Sequence, residues 1–206
     1  MSISRSTGFA PRHFNLTARV LHWSMALAIF AMLFVGIGMV ASVSLRPALV
    51  SLHRPLGIAI LLLVIVRLVN RLLHRPPPLP ADLPRVQAVA AKSSHWLLYT
   101  LMFAMPLVGW SMLSAGGYPV TMFKGFTLPA IARHDAMLYA VLRTAHTWLA
   151  LLLFVTVLAH LAAALYHAWV RRDGVFPSMA TGPGNDDVGL AASDDEVPPV
   201  RPPAQV

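Results

Sequence analysis

The sequence predicts an all-α membrane protein: a four-transmembrane-helix bundle with both termini cytoplasmic and a disordered C-terminal tail. Of the 206 residues, 57% are hydrophobic and only 12% are charged, which is about half the charged fraction of an average soluble domain. The mean hydropathy is +0.65. Four long stretches carry very little charge, and each is long enough to cross a hydrocarbon core of about 30 Å. These observations favour the membrane class over any soluble fold.

The first two spans follow each other closely along the chain. No charged residue occurs between Arg19 and Arg46, so the first span is predicted at about residues 19–45. This apolar run exceeds the roughly 7–15 residues of a cleaved signal peptide. The second span is predicted at residues 49–72. It contains Arg67 and Arg71, which must turn inward or reach toward the membrane surface because a charge facing lipid is costly.

The third and fourth spans are predicted at residues 93–115 and 143–169. The third contains Pro106, which a membrane helix tolerates. Between these spans, residues 131–142 are expected to form a short helix at the interface. Residues 173–206 are rich in Gly, Pro, Ser, Asp and Ala and show no hydrophobic period. This composition predicts a disordered tail after a membrane domain of residues 1–172.

Basic residues flank the spans unevenly, although the formal net charge is only +8. One side carries ten of them: Arg5, Arg12, Arg19, Arg67, Arg71, Arg75, Arg85, Lys92, Arg171 and Arg172. The other side carries five: Arg46, Arg54, Lys124, Arg133 and Arg143. The positive-inside rule therefore predicts both termini in the cytoplasm. Because the basic residues separate hydrophobic runs and form no single stripe, the expected partner is the lipid bilayer and not a nucleic acid.

Four histidines are predicted to meet in pairs at two depths. His146 and His160 are fourteen residues apart, so they share one helix face about 21 Å apart along the axis. An imidazole inside a membrane needs a partner. With both termini inside, His22 in the first span lies at the depth of His160, and His53 in the second span lies at the depth of His146.

Two histidine pairs are what two bis-histidine haems require. The chain has no cysteine, which excludes thiolate ligands and iron–sulfur clusters. Two imidazoles leave the haem iron no open axial position, which favours electron transfer over oxygen activation. Haem propionates need cations: Arg54 and Arg143 are placed for the outer haem, and Arg19, Arg67 and Arg71 for the inner one. The alternative explanation is that these arginines only flank spans and that the histidines only pack.

His167 follows His160 by seven residues and shares its face. Three roles remain open for it: an alternative haem ligand, a residue that hydrogen-bonds a quinone carbonyl and passes protons, or a polar cap at the interface. His95, at the start of the third span, is equally ambiguous. The remaining histidines are expected to be solvated in loops or at interfaces: His13, His74 and His134.

An ordered set of short motifs resembles the bacterial cytochrome b561 family over residues 12–176. The motifs are Arg19-Val20-Leu21-His22-Trp23, His53-Arg54-Pro55-Leu56-Gly57, His95 with Pro106-Leu107-Val108-Gly109, and His146 with His160. The resemblance implies a four-helix cytochrome of the bacterial inner membrane with two haems b per chain. It also implies that the axial iron ligands are His22, His53, His146 and His160.

Some members of that family are similar to superoxide oxidases, which pass the electron of superoxide to ubiquinone, and His167 would belong to their quinone-side region. The function expected is therefore transmembrane electron transfer to or from the respiratory quinone pool, with superoxide or a periplasmic redox partner at the outer side. The outer flank carries five cations against Asp135, a field that attracts small anions. The alternatives are a haem-bearing membrane-anchor subunit of a respiratory dehydrogenase or hydrogenase, and a haem-free membrane protein.

Overall fold

The four predicted spans are confirmed by four long helices. The computed structural model describes residues 13–74, 76–80, 82–123 and 126–181. The long helices are α1 (Leu16–Ala41), α2 (Arg46–Leu73), α3 (Arg85–Ala115) and α4 (Ala136–Tyr166), and a π-helical turn, His167–Arg171, continues α4. The shorter elements are β1 (Val120–Phe123), β2 (Phe126–Leu128) and α5 (Val175–Ala180). All four long helices have the length and apolar composition needed to cross a membrane.

The helix bounds differ from the predicted spans because helices extend beyond the apolar core. α3 begins at Arg85, ahead of the predicted residue 93, since polar side chains near a membrane surface do not end a helix. α4 begins at Ala136, where the Asp135 carboxylate accepts a hydrogen bond of 2.9 Å from the Leu138 amide. Such a cap satisfies a free backbone donor of the first turn. The prediction of a separate interfacial helix at residues 131–142 is therefore wrong, because residues 136–142 form the beginning of α4.

The helices pack as two antiparallel pairs, α1 with α2 and α3 with α4, and α2 joins the pairs through α3. We call the end where α1 and α3 begin the inner end, and the opposite end the outer end. The buried core lies between the two ends and comprises Met25, Ile29, Ile60, Leu61, Val64, Leu101, Met102 and Leu153. Leu27 is 73% exposed and Val155 is 60% exposed, as suits helix faces that meet lipid.

At the outer end, β1 and β2 form an antiparallel hairpin in which Val120 pairs with Leu128. The hairpin contacts α2, and the Arg54 guanidinium donates to the Pro119 carbonyl at 3.3 Å. Sequence reasoning did not anticipate these strands. Lys124, counted above among the outer cations, lies outside the described residues, as do Arg5, Arg12 and Arg75 of the other flank.

At the inner end, the chain folds back under the bundle after α4. Gly174 has φ of 78°, a left-handed conformation that favours glycine, and α5 follows it. Backbone carbonyls of α5 accept hydrogen bonds from the Trp23 indole at 3.3 Å and from the Arg19 guanidinium at 3.1 Å. The prediction of a disordered tail from residue 173 is therefore wrong as far as residue 181. Residues 182–206, the rest of that predicted tail, lie outside the described residues.

Candidate haem-binding site

The outer histidine pair is formed by His53 of α2 and His146 of α4. Their ring centroids are 6.1 Å apart and their planes meet at 66°. A metal held between two imidazole nitrogens separates the ring centroids by roughly 6.2–6.4 Å, because each metal–nitrogen bond measures about 2 Å. The spacing of these rings is therefore close to what a metal ligated by both imidazoles requires.

A cavity of about 490 Å³ adjoins this pair, within the range of about 300–1,000 Å³ typical of ligand and cofactor sites. Both imidazoles line it, together with Arg46, Arg54 and Arg143 and many apolar side chains. Within the described part of the chain, no aspartate or glutamate lines this cavity. Its walls thus suit a flat apolar molecule that carries negative charge at one edge.

The inner histidine pair is formed by His22 of α1 and His160 of α4. Their ring centroids are 6.3 Å apart and their planes also meet at 66°, so the two pairs have nearly the same geometry. His95 of α3 joins this pair, with its ring centroid 5.5 Å from that of His160. This separation is shorter than a shared metal requires. His22 is therefore the better-placed partner for His160, and His95 is an imidazole beside the pair.

Unpaired nitrogen atoms lie beside both pairs. At the outer end, these are Nδ1 of His53 and Nε of Arg54, which are buried with no hydrogen-bond partner among the described residues. At the inner end, Nε of Arg19 and Nη1 of Arg67 are in the same state. A buried polar group without a partner is costly. Propionate carboxylates at each end would provide acceptors for the arginine donors.

Arg67 and Arg71 turn inward onto α3, which is the first of the two arrangements predicted for them. Arg67 Nε donates to the Tyr99 hydroxyl at 3.1 Å. The guanidinium carbons of Arg67 and Arg71 lie 5.8 Å and 5.6 Å from the Tyr99 ring centroid, within range of a cation–π contact. Tyr99 therefore holds both cations at the inner end. No periodicity in the sequence marks it for that role.

The donor set fits haem better than a simple metal ion. Among the residues that the structure describes, no group of three or more His, Asp and Glu side chains forms a metal cage. A protein-bound zinc ion usually takes at least three protein ligands. A pair of opposed imidazoles instead suits a metal whose other four ligands come from a macrocycle. The residues at both ends therefore fit a bis-histidine haem.

His167 pairs with Asp173, a residue that sequence reasoning placed in the tail. Asp173 Oδ2 lies 2.6 Å from His167 Nδ1 and accepts a hydrogen bond of 2.9 Å from Arg171 Nε. Burial alone would raise the pKa of Asp173, but hydrogen bonds from His167, the Val175 amide and Arg171 outweigh it and keep the pKa below its usual value. Asp173 is therefore an anion at neutral pH.

The sequence is similar to known membrane cytochromes along most of its length. The model of the family described as prokaryotic cytochrome b561 matches residues 13–182. "Cytochrome b561 homolog 2" of Escherichia coli (strain K12) is 28% identical over 185 residues, covering 87% of this chain and 97% of that protein. "Probable superoxide oxidase CybB" of Yersinia pestis is 29% identical over 161 residues, covering 77% of this chain and 90% of that protein.

Proposed function

The chain belongs to the prokaryotic cytochrome b561 family and is a multi-pass membrane cytochrome of b type; on this basis, we propose that it binds two haems and carries electrons across the membrane to the quinone pool. His53 and His146 would be the axial ligands of the outer haem, and His22 and His160 those of the inner haem. The observation that carries this proposal is the matched ring spacing of the two pairs, 6.1 Å and 6.3 Å.

The residues around each pair would hold and insulate the haems. Arg54 and Arg143 would bind propionates at the outer end, and Arg19, Arg67 and Arg71 would do so at the inner end. The apolar core between the pairs excludes water from the middle of the bundle. Haem held by two imidazoles supplies one-electron transfer at an iron that has no free axial position for oxygen.

Superoxide is the electron donor that best suits the outer end. Three arginines and no described carboxylate line the outer cavity, and such a field raises the arrival rate of a small anion. One relative carries the name probable superoxide oxidase. In the proposed reaction, two superoxide ions each lose one electron and leave as O₂. One ubiquinone gains both electrons and two protons and becomes ubiquinol.

The direction of transfer follows from the charges that flank the spans. The inner end carries more cations than the outer end among the residues of the sequence, which favours its placement in the cytoplasm. The outer cavity would then face the periplasm of a bacterial inner membrane. Electrons would enter on the periplasmic side, and the quinone would take up protons from the cytoplasmic side.

Stopped-flow mixing of the purified haem-loaded protein with superoxide tests the proposal. The expected result is haem reduction faster than spontaneous dismutation of superoxide, slowed by added salt because salt screens the arginines. Ubiquinol should then form at one molecule per two superoxide ions. Haem reduction that is absent or indifferent to salt would contradict the superoxide role. A dehydrogenase or hydrogenase subunit that co-purifies at one-to-one stoichiometry would instead favour a membrane-anchor role.

A further inference from the structure

The segment that follows α4 reverses direction at Asp173 and returns to the bundle. The π-helical turn His167–Arg171 is followed by Arg172, which has a left-handed backbone with φ of 52°. Gly174 is also left-handed, with φ of 78°. A left-handed conformation is uncommon for a residue with a side chain. Two such residues flank Asp173, so the chain reverses direction around it and α5 returns to the start of α1.

The Asp173 carboxylate is partly buried and takes part in hydrogen bonds through both of its oxygens. Its side chain is 9% exposed, against 16% for His167 and 17% for Arg171. Oδ2 meets His167 Nδ1 and Arg171 Nε, and Oδ1 accepts a hydrogen bond of 3.3 Å from the Val175 amide. Among the described residues, these partners of the carboxylate come from the π-helical turn and from the first residue of α5.

Arg171 is held from a second side by Asp82, which lies on the connection between α2 and α3. Arg171 Nη2 is 2.6 Å from Asp82 Oδ2, and the Asp82 side chain is 74% exposed. Arg171 therefore balances the charge of Asp173, and the exposed carboxylate of Asp82 helps to fix the position of the Arg171 side chain. Among the described residues, Asp82 shares the arginine with Asp173 but forms no hydrogen bond with His167, so it is a suitable control.

This cluster lies at the end of the bundle that carries the inner histidine pair. α4 carries His160 about two turns before His167. The returning α5 is hydrogen-bonded to Arg19 and Trp23, which flank His22 in α1. His167 and Asp173 are thus part of the connection between the two helices that hold the inner pair.

We propose that Asp173 is a positioning residue for His167, which would deliver protons to the quinone at the inner end. The inference rests on the proposed function. A carboxylate on one ring nitrogen fixes the tautomer and orientation of the other. With its Nδ1–H donated to Asp173, His167 presents Nε2 to a quinone carbonyl. Quinone gains two electrons from the donor and two protons. Nε2 first takes a proton from water at the inner surface, and the resulting imidazolium passes that proton to a quinone oxygen; the cycle runs once for each of the two protons.

Asp173→Asn tests the role, because it keeps the side-chain size and removes the charge. Ubiquinol formation by the full-length, haem-loaded protein should show a kcat lowered about tenfold or more, by analogy with the loss that follows removal of the partner that orients a metal-bound histidine. KM, haem content and the haem spectrum should stay unchanged. Asp82→Asn should change kcat less than about twofold. His167→Gln should lower kcat at least as much as Asp173→Asn does. The double variant His167→Gln/Asp173→Asn should have the same kcat as His167→Gln alone.

A second measurement reads the imidazole itself and does not depend on turnover. ¹⁵N NMR of histidine-labelled protein, with His167 assigned by its loss in His167→Gln, should show the Nδ1–H tautomer in the wild type and its loss in Asp173→Asn. If that variant does not assemble, Asp173→Glu should keep the tautomer and lower kcat by a smaller factor.

Three results would overturn the inference: wild-type kcat in Asp173→Asn, equal losses in Asp173→Asn and Asp82→Asn, or an unchanged His167 tautomer. The failure of the proposed function has a different signature. Wild-type protein that is reduced at its haems yet forms no ubiquinol would overturn the quinone role, and the NMR measurement would still decide whether Asp173 positions His167.

Discussion

Gly109 of α3 lies against the ring of His146. A Cβ added to Gly109 would be 3.2 Å from Cε1 and 3.5 Å from Nδ1 of that imidazole. The first distance is tighter than an ordinary van der Waals contact, so a side chain at this position must push the ring away from its place opposite His53. The absence of a side chain at residue 109 therefore sets how His146 sits in the outer site.

Gly109→Ala should disturb the outer haem alone. The ring of His146 would shift by a few tenths of an ångström, so we expect lower occupancy of one haem or a changed midpoint potential in a redox titration. Gly36→Ala is the control, because a Cβ there would meet nothing within 4 Å. Identical titrations for the two variants would show that the contact has no influence on the haem.

His146→Ala and His160→Ala should each lower the haem content from two to one per chain while the protein still inserts into the membrane. The reason is that an axial ligand contributes to one haem only, whereas insertion follows from the apolar spans. His74→Ala is the control, since His74 is exposed and its ring is hydrogen-bonded to the Asn70 carbonyl of α2, away from both histidine pairs. Pyridine haemochrome assay gives the count. Full haem content in both variants would refute the assigned ligands.

His95→Ala should retain both haems, whereas His22→Ala should lose the inner one. The expectation rests on ring spacing, because His95 is 5.5 Å and His22 is 6.3 Å from His160. The haem assay above decides the matter. The opposite outcome, with loss in His95→Ala and retention in His22→Ala, would mean that α3 and not α1 supplies the second inner ligand.

Arg46→Gln should slow the reduction of the protein by superoxide several-fold at low ionic strength and by less in high salt. Arg46 lines the outer cavity, and the attraction of an anion to an exposed cation is screened by salt. Arg133→Gln is the matched control, because Arg133 is 83% exposed and already lies 3.4 Å from Asp135. Stopped-flow rate constants measured against salt provide the comparison, and equal effects of the two variants would exclude a specific role for the cavity rim.

Acid should release α5 from the bundle. The pKa of Asp173 is lower in the folded protein, so its contribution to stability is complete above the unfolded value of about 3.9 and is lost as pH falls through the folded pKa. Hydrogen exchange at α5 amides, corrected for the intrinsic rate, should be constant from about pH 7 to 5 and rise below about pH 4. Asp173→Asn should show no such rise. A wild-type profile without it would contradict the anchoring role of Asp173.

The parts of the fold that follow helical periodicity could be predicted from the sequence. The fourteen-residue interval between His146 and His160 determines their common face, and the alternation of spans determines which histidine shares each depth. The rings of His22 and His53 accordingly lie beside those two. Arg67 was also predictable in part, since a cation inside a span must turn toward protein or water.

Features that depend on contacts between distant segments could not be predicted. Asp173 stands in a polar, Gly-containing stretch typical of disorder, and its place in the fold follows from its hydrogen bonds to His167 and Arg171 and from those of α5 to α1. His95 joins the inner pair because α3 packs on α4, which spacing within α3 does not reveal. The hairpin of β1 and β2 is held by its contacts with α2, and its strands are too short for a period to mark them.

The two-haem assignment is tested most directly by a reduced-minus-oxidised spectrum of the purified protein, combined with haem and iron quantification. We expect b-type absorption bands, no ligand-binding shift with carbon monoxide because both axial positions are filled, and two haems and two irons per chain. A spectrum without b-type bands, or a stoichiometry of one, would refute the assignment of one haem to His22 with His160 and another to His53 with His146.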